Sequence, residues 1–201
     1  MQKPVILIIC DYYLPGFESG GAMRTIVNMT ARLGDEFDFR IVTRDHDGPN
    51  NLTPYEGVNI DGWNTGSTSP IYYLSRAEIR TSTIRRLIAQ VRPDAIYLNS
   101  FFSRLTIFVL FLRKLRRIAA VPVILAPEGE FSSGALSLKK QKKFLYITAA
   151  KSLGLLKGLV WKAGSEPEPD DIRAALGDNL NIRVAPNMPP ATMNEGYVQS
   201  A

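Results

Sequence analysis

Cysteine and histidine are almost absent from this chain of 201 residues, which has one of each, Cys10 and His46. A single cysteine cannot form an internal disulfide, which favours a reducing, cytosolic setting. Zinc sites built from Cys and His clusters are excluded, and a Ser-His-Asp triad would have to use His46. We expect Cys10 to lie in the core and His46 to be solvated in a loop rather than catalytic.

Long hydrophobic runs are also missing. No apolar stretch approaches the about 20 residues that a membrane-spanning helix needs, and the apolar run near the start stops at Asp11, so it does not resemble a signal peptide. Hydrophobic residues make up 45% of the chain and charged residues 21%, as in ordinary globular proteins. The length allows one full α/β domain. We therefore expect a cytoplasmic protein.

Acidic residues are scarce in one long segment. Between Arg104 and Lys162 there are twelve Lys and Arg but only two acids, Glu128 and Glu130, so this segment has a net charge of +10. The chain as a whole has +5, which leaves −5 for the remainder. Such asymmetry indicates an anionic partner for one region: a nucleic acid, a membrane surface or a phosphorylated ligand.

Short β-branched apolar runs alternate with amphipathic patterns along the chain. This alternation predicts an α/β fold with a doubly wound, mostly parallel sheet of about seven strands and helices on both faces. A capping box is predicted at Ser165 to Glu168, with Ser165 as the N-cap. The predicted strands are 5–10, 37–43, 57–63, 95–98, 121–126, 159–163 and 182–185, and the predicted helices are 22–33, 78–91, 103–119, 135–156 and 165–176.

Ligands of open α/β sheets bind beyond the carboxyl ends of the strands, so the loops after the strands hold the candidate site. Gly20 and Gly21 stand between the first strand and the first helix, where glycine lets a ligand approach the backbone and the helix N-terminus can hold a phosphate. Neither G-x-G-x-x-G nor a P-loop is present, which argues against a nicotinamide cofactor or P-loop ATP. The alternative is a turn that needs positive φ.

Two further loops carry polar side chains. Asn99, Ser100 and Phe101 follow the strand AIYL, and Glu128 and Glu130 follow the strand VPVILA. Carboxylates in a cleft suit hydrogen bonds to sugar hydroxyls or general acid–base catalysis. The alternatives are an Asn-capped turn for the first loop and salt bridges to nearby lysines for the second.

The predicted helix 135–156 carries lysines, including Lys139 and Lys143, on one half and mostly apolar residues on the other. Such a helix can bind anionic lipid, or it can be an ordinary core-packed helix with a solvated basic face. Nucleic-acid binding would require aromatic residues among the lysines, and only Tyr146 qualifies. We therefore expect no nucleic-acid partner.

Taken in order, these motifs resemble the N-terminal half of glycosyltransferase family 4, whose members are retaining sugar transferases of the GT-B fold. The resemblance covers nearly the whole chain, and its most specific stretch is similar to the branch that builds bacterial lipopolysaccharide and capsule. The matching segments are VILIICDYYLP, GGAMRT, RIVTRDHD, AIYLNSFFS, APEGEFSSGALSLKKQKKFLY, WKAGSEPEPDDI and IRVAPN.

The resemblance implies roles for individual residues. Gly20 and Gly21 would face the diphosphate of a nucleotide-sugar donor, and Asn99 stands where many relatives have a histidine near the reacting sugar. Glu128 stands where arginine is expected in many relatives, so the role of its loop is open. No residue is assigned as catalytic beyond Asn99 as the nearest candidate. The implied acceptor-binding set is Tyr13, Asn99, Ser100, Phe101, Glu128, Glu130, Lys139 and Lys143.

The resemblance also implies a domain division. Residues 1–187 would form a Rossmann-like acceptor-binding domain, and 188–201 would begin the linker to a donor-binding domain that this chain lacks. The chain alone would then be inactive, with a nucleotide sugar and a glycan or lipid-linked acceptor as partners, no metal or cofactor, and a possible position on the inner face of the membrane. The alternative is a non-enzymatic module that binds an anionic membrane surface or a protein.

Overall fold

The computed structural model describes residues 2–18, 20–65 and 68–190. Strands and helices alternate through these residues. The strands are β1 (Val5–Ile9), β2 (Asp38–Arg44), β3 (Trp63–Asn64), β4 (Ile71–Leu74), β5 (Ala95–Asn99), β6 (Val123–Ala126), β7 (Val160–Ala163) and β8 (Asn181–Val184). The helices are α1 (Gly20–Leu33), α2 (Thr81–Val91), α3 (Arg104–Lys114), α4 (Ser133–Ser137), α5 (Lys140–Ser152) and α6 (Glu168–Leu176).

All described strands belong to one sheet, in the order β3-β4-β2-β1-β5-β6-β7-β8. Every neighbouring pair is parallel except β3 with β4, which is antiparallel at one edge. The predicted doubly wound, mostly parallel α/β fold is confirmed, with eight strands instead of about seven. The strand order reverses between β1 and β5, and this switch point is where open α/β sheets bind their ligands.

The central strands are covered on both faces of the sheet. Successive side chains of a strand point to opposite faces. Leu7 and Ile9 of β1 pack with the core formed under α2, α3, α5 and α6. Ile8 and Cys10 pack on the opposite face, where α1 contributes Met23 and Ile26. Helices therefore lie on both faces, and Cys10 is a core residue as expected.

The sequence prediction missed β4 and misplaced its neighbour. The run Ile71–Leu74 has only four residues, yet all four are buried, and the strand pairs in parallel with β2. The strand expected over 57–63 is reduced to a bridge at Ile60 and the short β3. Short strands of this kind are defined by their partners in the sheet more than by local pattern.

Two predicted helices are shorter than expected. The helix expected over 135–156 is two helices, because Leu138 is extended and Lys139 adopts a positive φ of 55°. The helix expected to reach Ala119 ends at Lys114, where Arg116 takes a positive φ and the Arg117 amide bonds back to the Leu112 carbonyl. Left-handed residues of this kind end helices. None of the helices in the described ranges is long and apolar enough to cross a bilayer.

An aromatic cluster lies beneath the loops that follow β5 and β6. The ring of Phe101 is fully buried, and its centroid is 4.9 Å from Tyr146, 5.0 Å from Phe102, 5.2 Å from Phe131 and 5.8 Å from Trp161. These separations suit edge-to-face and tilted aromatic contacts. The cluster joins the loops after β5 and β6 to α5 and β7.

We predict that Phe101→Ala lowers the free energy of unfolding by about 3–5 kcal/mol, because it removes the central ring of this cluster and leaves a cavity. Urea unfolding followed by circular dichroism measures the change. The matched control is Leu52→Ala, whose side chain is 54% exposed and which should change stability by less than about 0.5 kcal/mol. Equal effects of the two substitutions would contradict the packing role.

Candidate functional site

The candidate site lies at the switch point on the carboxyl edge of the sheet, the region we call the crevice. There Thr25 of α1 contacts Glu128 in the loop after β6, and Glu130 of that loop contacts Ser100 after β5. α1 opens with Gly20, at a φ of 53°, and Gly21. A Cβ atom added at either glycine would meet nothing within 4 Å, so the backbone there faces open space. The first-turn amides of a helix lack intrahelical acceptors and carry partial positive charge. This end of α1 can therefore accept an anion.

The loop between β1 and α1 is positioned by hydrogen bonds to the loop after β2 and to β4. The Asp47 carboxylate accepts the backbone N–H of Phe17 at 2.8 Å and that of Glu18 at 3.2 Å. The Tyr73 hydroxyl donates to the Leu14 carbonyl at 2.7 Å. These bonds position the loop, while the Phe17 side chain itself is 80% exposed.

The prediction that His46 is solvated is wrong. His46 and Asp45 are both buried, and their Nδ1 and Oδ1 atoms are 2.8 Å apart. The loop folds inward because the Asp47 carboxylate accepts hydrogen bonds from the Phe17 and Glu18 amides. The polar residues Asp45, His46 and Asp47 are therefore buried. A buried His–carboxylate pair satisfies both partners.

Glu128 is the polar residue that links most elements around the crevice. It follows β6 at a φ of 51°. Its Oε2 accepts from Thr25 Oγ1 of α1 at 3.4 Å and from Asn187 Nδ2 at 3.2 Å, and its Oε1 lies 3.7 Å from Lys162 Nζ of β7. Burial raises the pKa of this carboxyl, and the neighbouring Lys162 ammonium opposes the shift.

Glu130 fixes the loop after β5 rather than facing the crevice openly. Its Oε1 accepts from Ser100 Oγ at 2.6 Å, and its Oε2 accepts the Phe101 backbone N–H at 2.5 Å. Ser100 has a φ of 82°, in the left-handed region that few non-glycine residues adopt. Burial raises the pKa of Glu130, and its hydrogen bonds and Lys143 oppose the shift.

Asn99 ends β5 and is buried, and its Nδ2 has no hydrogen-bond partner among the residues that the structure describes. The side chain lies on the same face as Tyr97, two residues earlier, whose hydroxyl also lacks a partner within the described ranges. Buried polar groups are nearly always paired in folded proteins. The Asn99 amide is therefore a donor that a ligand at the switch point could use.

Tyr13 and Phe101, both in the predicted acceptor-binding set, offer no surface to a ligand in this structure. Tyr13 is buried, with its hydroxyl 3.4 Å from Thr30 Oγ1 of α1. Phe101 is the centre of the aromatic cluster. Phe101 is unavailable to an acceptor because, besides the adjacent Phe102, aromatic rings from distant parts of the chain pack around it.

Lys139 and Lys143 differ in their surroundings. Lys139 is exposed at the corner between α4 and α5. Lys143 donates to the Ala135 carbonyl at 2.8 Å, and its ammonium lies 4.8 Å from the centroid of the Phe102 ring. Lys143 thus joins α5 to α4 and to the loop after β5, beside the crevice.

Glu168 is a site residue that the sequence prediction placed incorrectly. The predicted capping box is absent: α6 begins at Glu168 after Pro167, with no side-chain cap. Instead the buried Glu168 carboxylate accepts the Gly129 N–H at 2.7 Å and the Gly164 N–H at 2.6 Å. It therefore ties the loop after β6 to the loop after β7, a connection across 39 residues of chain.

Other contributors were missed. Asp11, two residues after the end of β1, accepts from Arg44 Nε and from Ser103 Oγ, both at 2.9 Å. Lys162 also donates to Asn187 Oδ1. Asp11 and Asn187 could have been predicted as site residues, because each is polar and lies just after a predicted strand. Thr25 and Lys162 lie within a helix and a strand, where local pattern does not mark them.

An apolar groove of about 380 Å³ runs beneath α1 from this cluster. Thr25, Lys162 and Asn187 line its polar end. Its remaining walls are mostly apolar and include Ile6, Met29, Leu33, Phe37, Phe39, Ile124 and Val160. The groove suits an apolar group, whereas the crevice above it suits a polar or anionic one.

The comparisons with known proteins identify the fold. No protein-family model and no curated protein matches the chain. Among solved structures, Anabaena HepE in complex with UDP and glucose matches with a TM-score of 0.57 and 12% identity, over 92% of this chain and 44% of the HepE chain. The chain thus spans less than half the length of HepE, and the likeness shows a shared Rossmann-like α/β fold.

Two nucleotide-sugar enzymes match more weakly. The dTDP-glucose 4,6-dehydratase of Bacillus anthracis in complex with NAD has a TM-score of 0.40 at 13% identity. The UDP-glucose 4-epimerase of Thermotoga maritima with UDP-glucose has a TM-score of 0.41 at 11% identity. Each match covers 82% of this chain and 58% of the other. These scores are too low to support any conclusion about this chain.

The raised pKa of Glu130 predicts a pH-dependent stability. Its folded pKa lies above the ordinary value of 4.5, so the folded chain holds this proton more tightly than the unfolded chain does. The stabilisation is therefore fully present below the unfolded pKa and is lost as the pH rises through the folded pKa. Glu130→Gln removes this dependence, and the stability of the variant relative to the wild type should rise with pH.

Urea unfolding of both proteins from about pH 4 to about pH 7 measures this difference. Altered hydrogen bonds to Ser100 and Phe101 contribute an offset of about 1–3 kcal/mol that does not depend on pH. The slope of the difference is therefore the test. A difference that stays constant across the range would contradict the raised pKa.

Proposed function

We propose that this chain is the acceptor-side domain of a retaining glycosyltransferase of family 4, acting in the synthesis of a bacterial cell-surface polysaccharide such as lipopolysaccharide or capsule. The full-length enzyme would move a sugar from a nucleotide sugar to a glycan or lipid-linked acceptor. The observation that carries the proposal is the open start of α1 at the switch point. Gly20 and Gly21 face free space there, and the buried Asn99 amide nitrogen at the carboxyl end of β5 has no hydrogen-bond partner among the described residues.

The proposed division of labour follows from the position of these groups. The amides at Gly20 and Gly21 would face the donor diphosphate, whose negative charge the helix N-terminus stabilises. Asn99 would donate to the reacting sugar or its acceptor, while Ser100 and Glu128 would border the acceptor. Catalysis would rest on positioning and electrostatics, without a metal or cofactor.

We further propose that residues 1–187 form this domain, that 188–201 begin a linker, and that a donor-binding domain completes the enzyme. The likeness to HepE supports this, since the chain spans 44% of that protein. Residues 188–190 leave the sheet and lie along α1: Asn28 Nδ2 donates to the Met188 carbonyl, and the Arg32 guanidinium donates to the Pro189 and Pro190 carbonyls, each at 2.8 Å. Residues 191–201 of the proposed linker lie outside the described residues.

A second candidate function is a non-enzymatic module that binds an anionic membrane or a protein partner. The exposed Leu138, Phe144 and Leu145 beside the lysines of α5 favour it. The two candidate functions differ in what they require of the crevice, because only a transferase domain needs an open space for a phosphate there.

Gly21→Val tests the proposed diphosphate contact. The new side chain would enter the empty space in front of α1 without striking the protein, so the fold should persist while the ligand space is filled. Titration with millimolar inorganic pyrophosphate, followed by amide chemical shifts, should move the resonances of Gly20 to Thr25 in the wild type and not in the variant.

The matched control is Ala31→Val, an exposed position on the same helix far from its start, which should titrate like the wild type. Shifts confined to the lysines of α5, or unchanged by Gly21→Val, would contradict the assignment.

The domain division predicts that the 201-residue chain alone transfers no sugar. We expect no nucleoside diphosphate release above background when the chain is incubated with a panel of nucleotide sugars and a cell-envelope lipid extract, because the donor-binding half is absent. Coupled spectrophotometric detection of the released diphosphate measures this. Sustained turnover by the chain alone would refute the division.

A further inference from the structure

The outer surface of the α4–α5 corner exposes large apolar residues among lysines. Leu138, Phe144 and Leu145 are 68%, 70% and 71% exposed, and they are three of the nine large hydrophobic residues exposed within the described ranges. Lys139, Lys140 and Lys142 are exposed beside them. We call these six residues the corner surface. Solitary exposed apolar residues need no explanation, but a cluster of them usually marks an interaction site.

The arrangement on α5 differs from the predicted division into a basic and an apolar half. Ile147 and Ala150 are the buried residues of this helix. At 3.6 residues per turn, Leu145 points away from these two residues and Phe144 lies about a quarter turn from them, with Lys140 and Lys142 flanking the pair around the helix. The surface therefore has an apolar centre with basic flanks, and Phe144 and Leu145 are not used by the core.

The charge around the corner surface has one sign. From Phe131 to Ser165 the sequence contains seven lysines and no acid. No salt bridge involves Lys139, Lys140 or Lys142 among the described residues. A partner must therefore supply negative charge at the borders and an apolar medium at the centre.

We propose that the corner surface docks on an anionic lipid bilayer, with Leu138, Phe144 and Leu145 entering the interface and the lysines contacting lipid phosphates. Apolar insertion combined with electrostatic attraction is how interfacial helices bind membranes. Lysine suits the borders because its long stem can lie along apolar surface while its ammonium reaches the headgroups. This proposal does not depend on sugar transfer.

Docking at the corner surface would bring the bilayer close to the crevice. α4 and the start of α5 follow the carboxyl end of β6, which is the sheet edge that carries Glu128 and Gly21. Lys143, one residue before Phe144, connects α5 to the loop after β5 through its contact with Phe102. A bilayer at the corner surface would therefore lie beside the crevice, where a lipid-linked substrate could reach it.

Sedimentation with sucrose-loaded vesicles tests the proposal on the 201-residue chain. We expect binding to vesicles of phosphatidylcholine with phosphatidylglycerol and at least about tenfold weaker binding to phosphatidylcholine alone, with the difference falling as salt rises. The double variant Phe144→Ser/Leu145→Ser should weaken binding by about tenfold or more. Lys140→Gln and Lys142→Gln should each weaken it by about fivefold.

The matched controls are Leu52→Ser and Arg85→Gln, which change an exposed apolar residue and an exposed basic residue outside the corner surface. Both should bind vesicles like the wild type, and circular dichroism confirms that each variant is folded. Depth is measured with Phe144→Trp, whose added fluorescence should shift to shorter wavelength and be quenched by brominated lipid.

Three results would overturn the proposal. They are the absence of vesicle binding, equal binding to neutral and anionic vesicles, and binding that the Phe144→Ser/Leu145→Ser variant leaves unchanged. Soluble polyglutamate serves as a competitor. If it binds as tightly as vesicles and independently of Phe144 and Leu145, the surface recognises an acidic macromolecule instead of lipid. Loss of sugar transfer in a longer protein would not affect these outcomes, so the two proposals fail separately.

Discussion

At the carboxyl edge of a parallel sheet, the loop N–H groups no longer bond to a neighbouring strand. They need other acceptors, because a buried amide is costly to leave unpaired. In this protein buried carboxylates supply them. Glu168 accepts two loop amides, Asp47 accepts two others, and Glu130 accepts one amide and one hydroxyl. A carboxylate suits this role because each oxygen can take its own donor. The shape of the crevice depends on these contacts.

Acidic residues that look catalytic in the sequence are thus mostly occupied in building the site. Glu130 accepts hydrogen bonds from the loop after β5. Glu128 connects α1, β7 and the segment after β8. The groups left to meet a ligand are the start of α1 and the Asn99 amide. That set favours binding and orienting an anionic, hydroxyl-rich molecule over proton transfer by a carboxylate dyad.

The fold is shared with HepE, but at 12% identity the likeness concerns architecture. Features particular to this chain therefore carry the functional argument. The crevice loops and the α4–α5 corner both follow the carboxyl ends of strands; we propose phosphate and sugar as ligands of the first and anionic lipid as the partner of the second. The proposed transfer of a sugar to a lipid-linked acceptor would use both surfaces.

The amino-acid pattern alone determined the alternation of strands and helices, the parallel sheet and the loops that hold the site, because periodicity and buried apolar runs are local properties. It could not determine which acids are buried. The Glu168 contact with Gly129, the inward turn of His46 and the break at Lys139 depend on residues far apart in sequence that meet only after folding. Likewise, the exposure of Phe144 and Leu145 follows from which face of α5 the sheet covers. Side chains with identical chemistry thus become tethers, ligand contacts or docking groups according to their neighbours, and only tertiary packing supplies those neighbours.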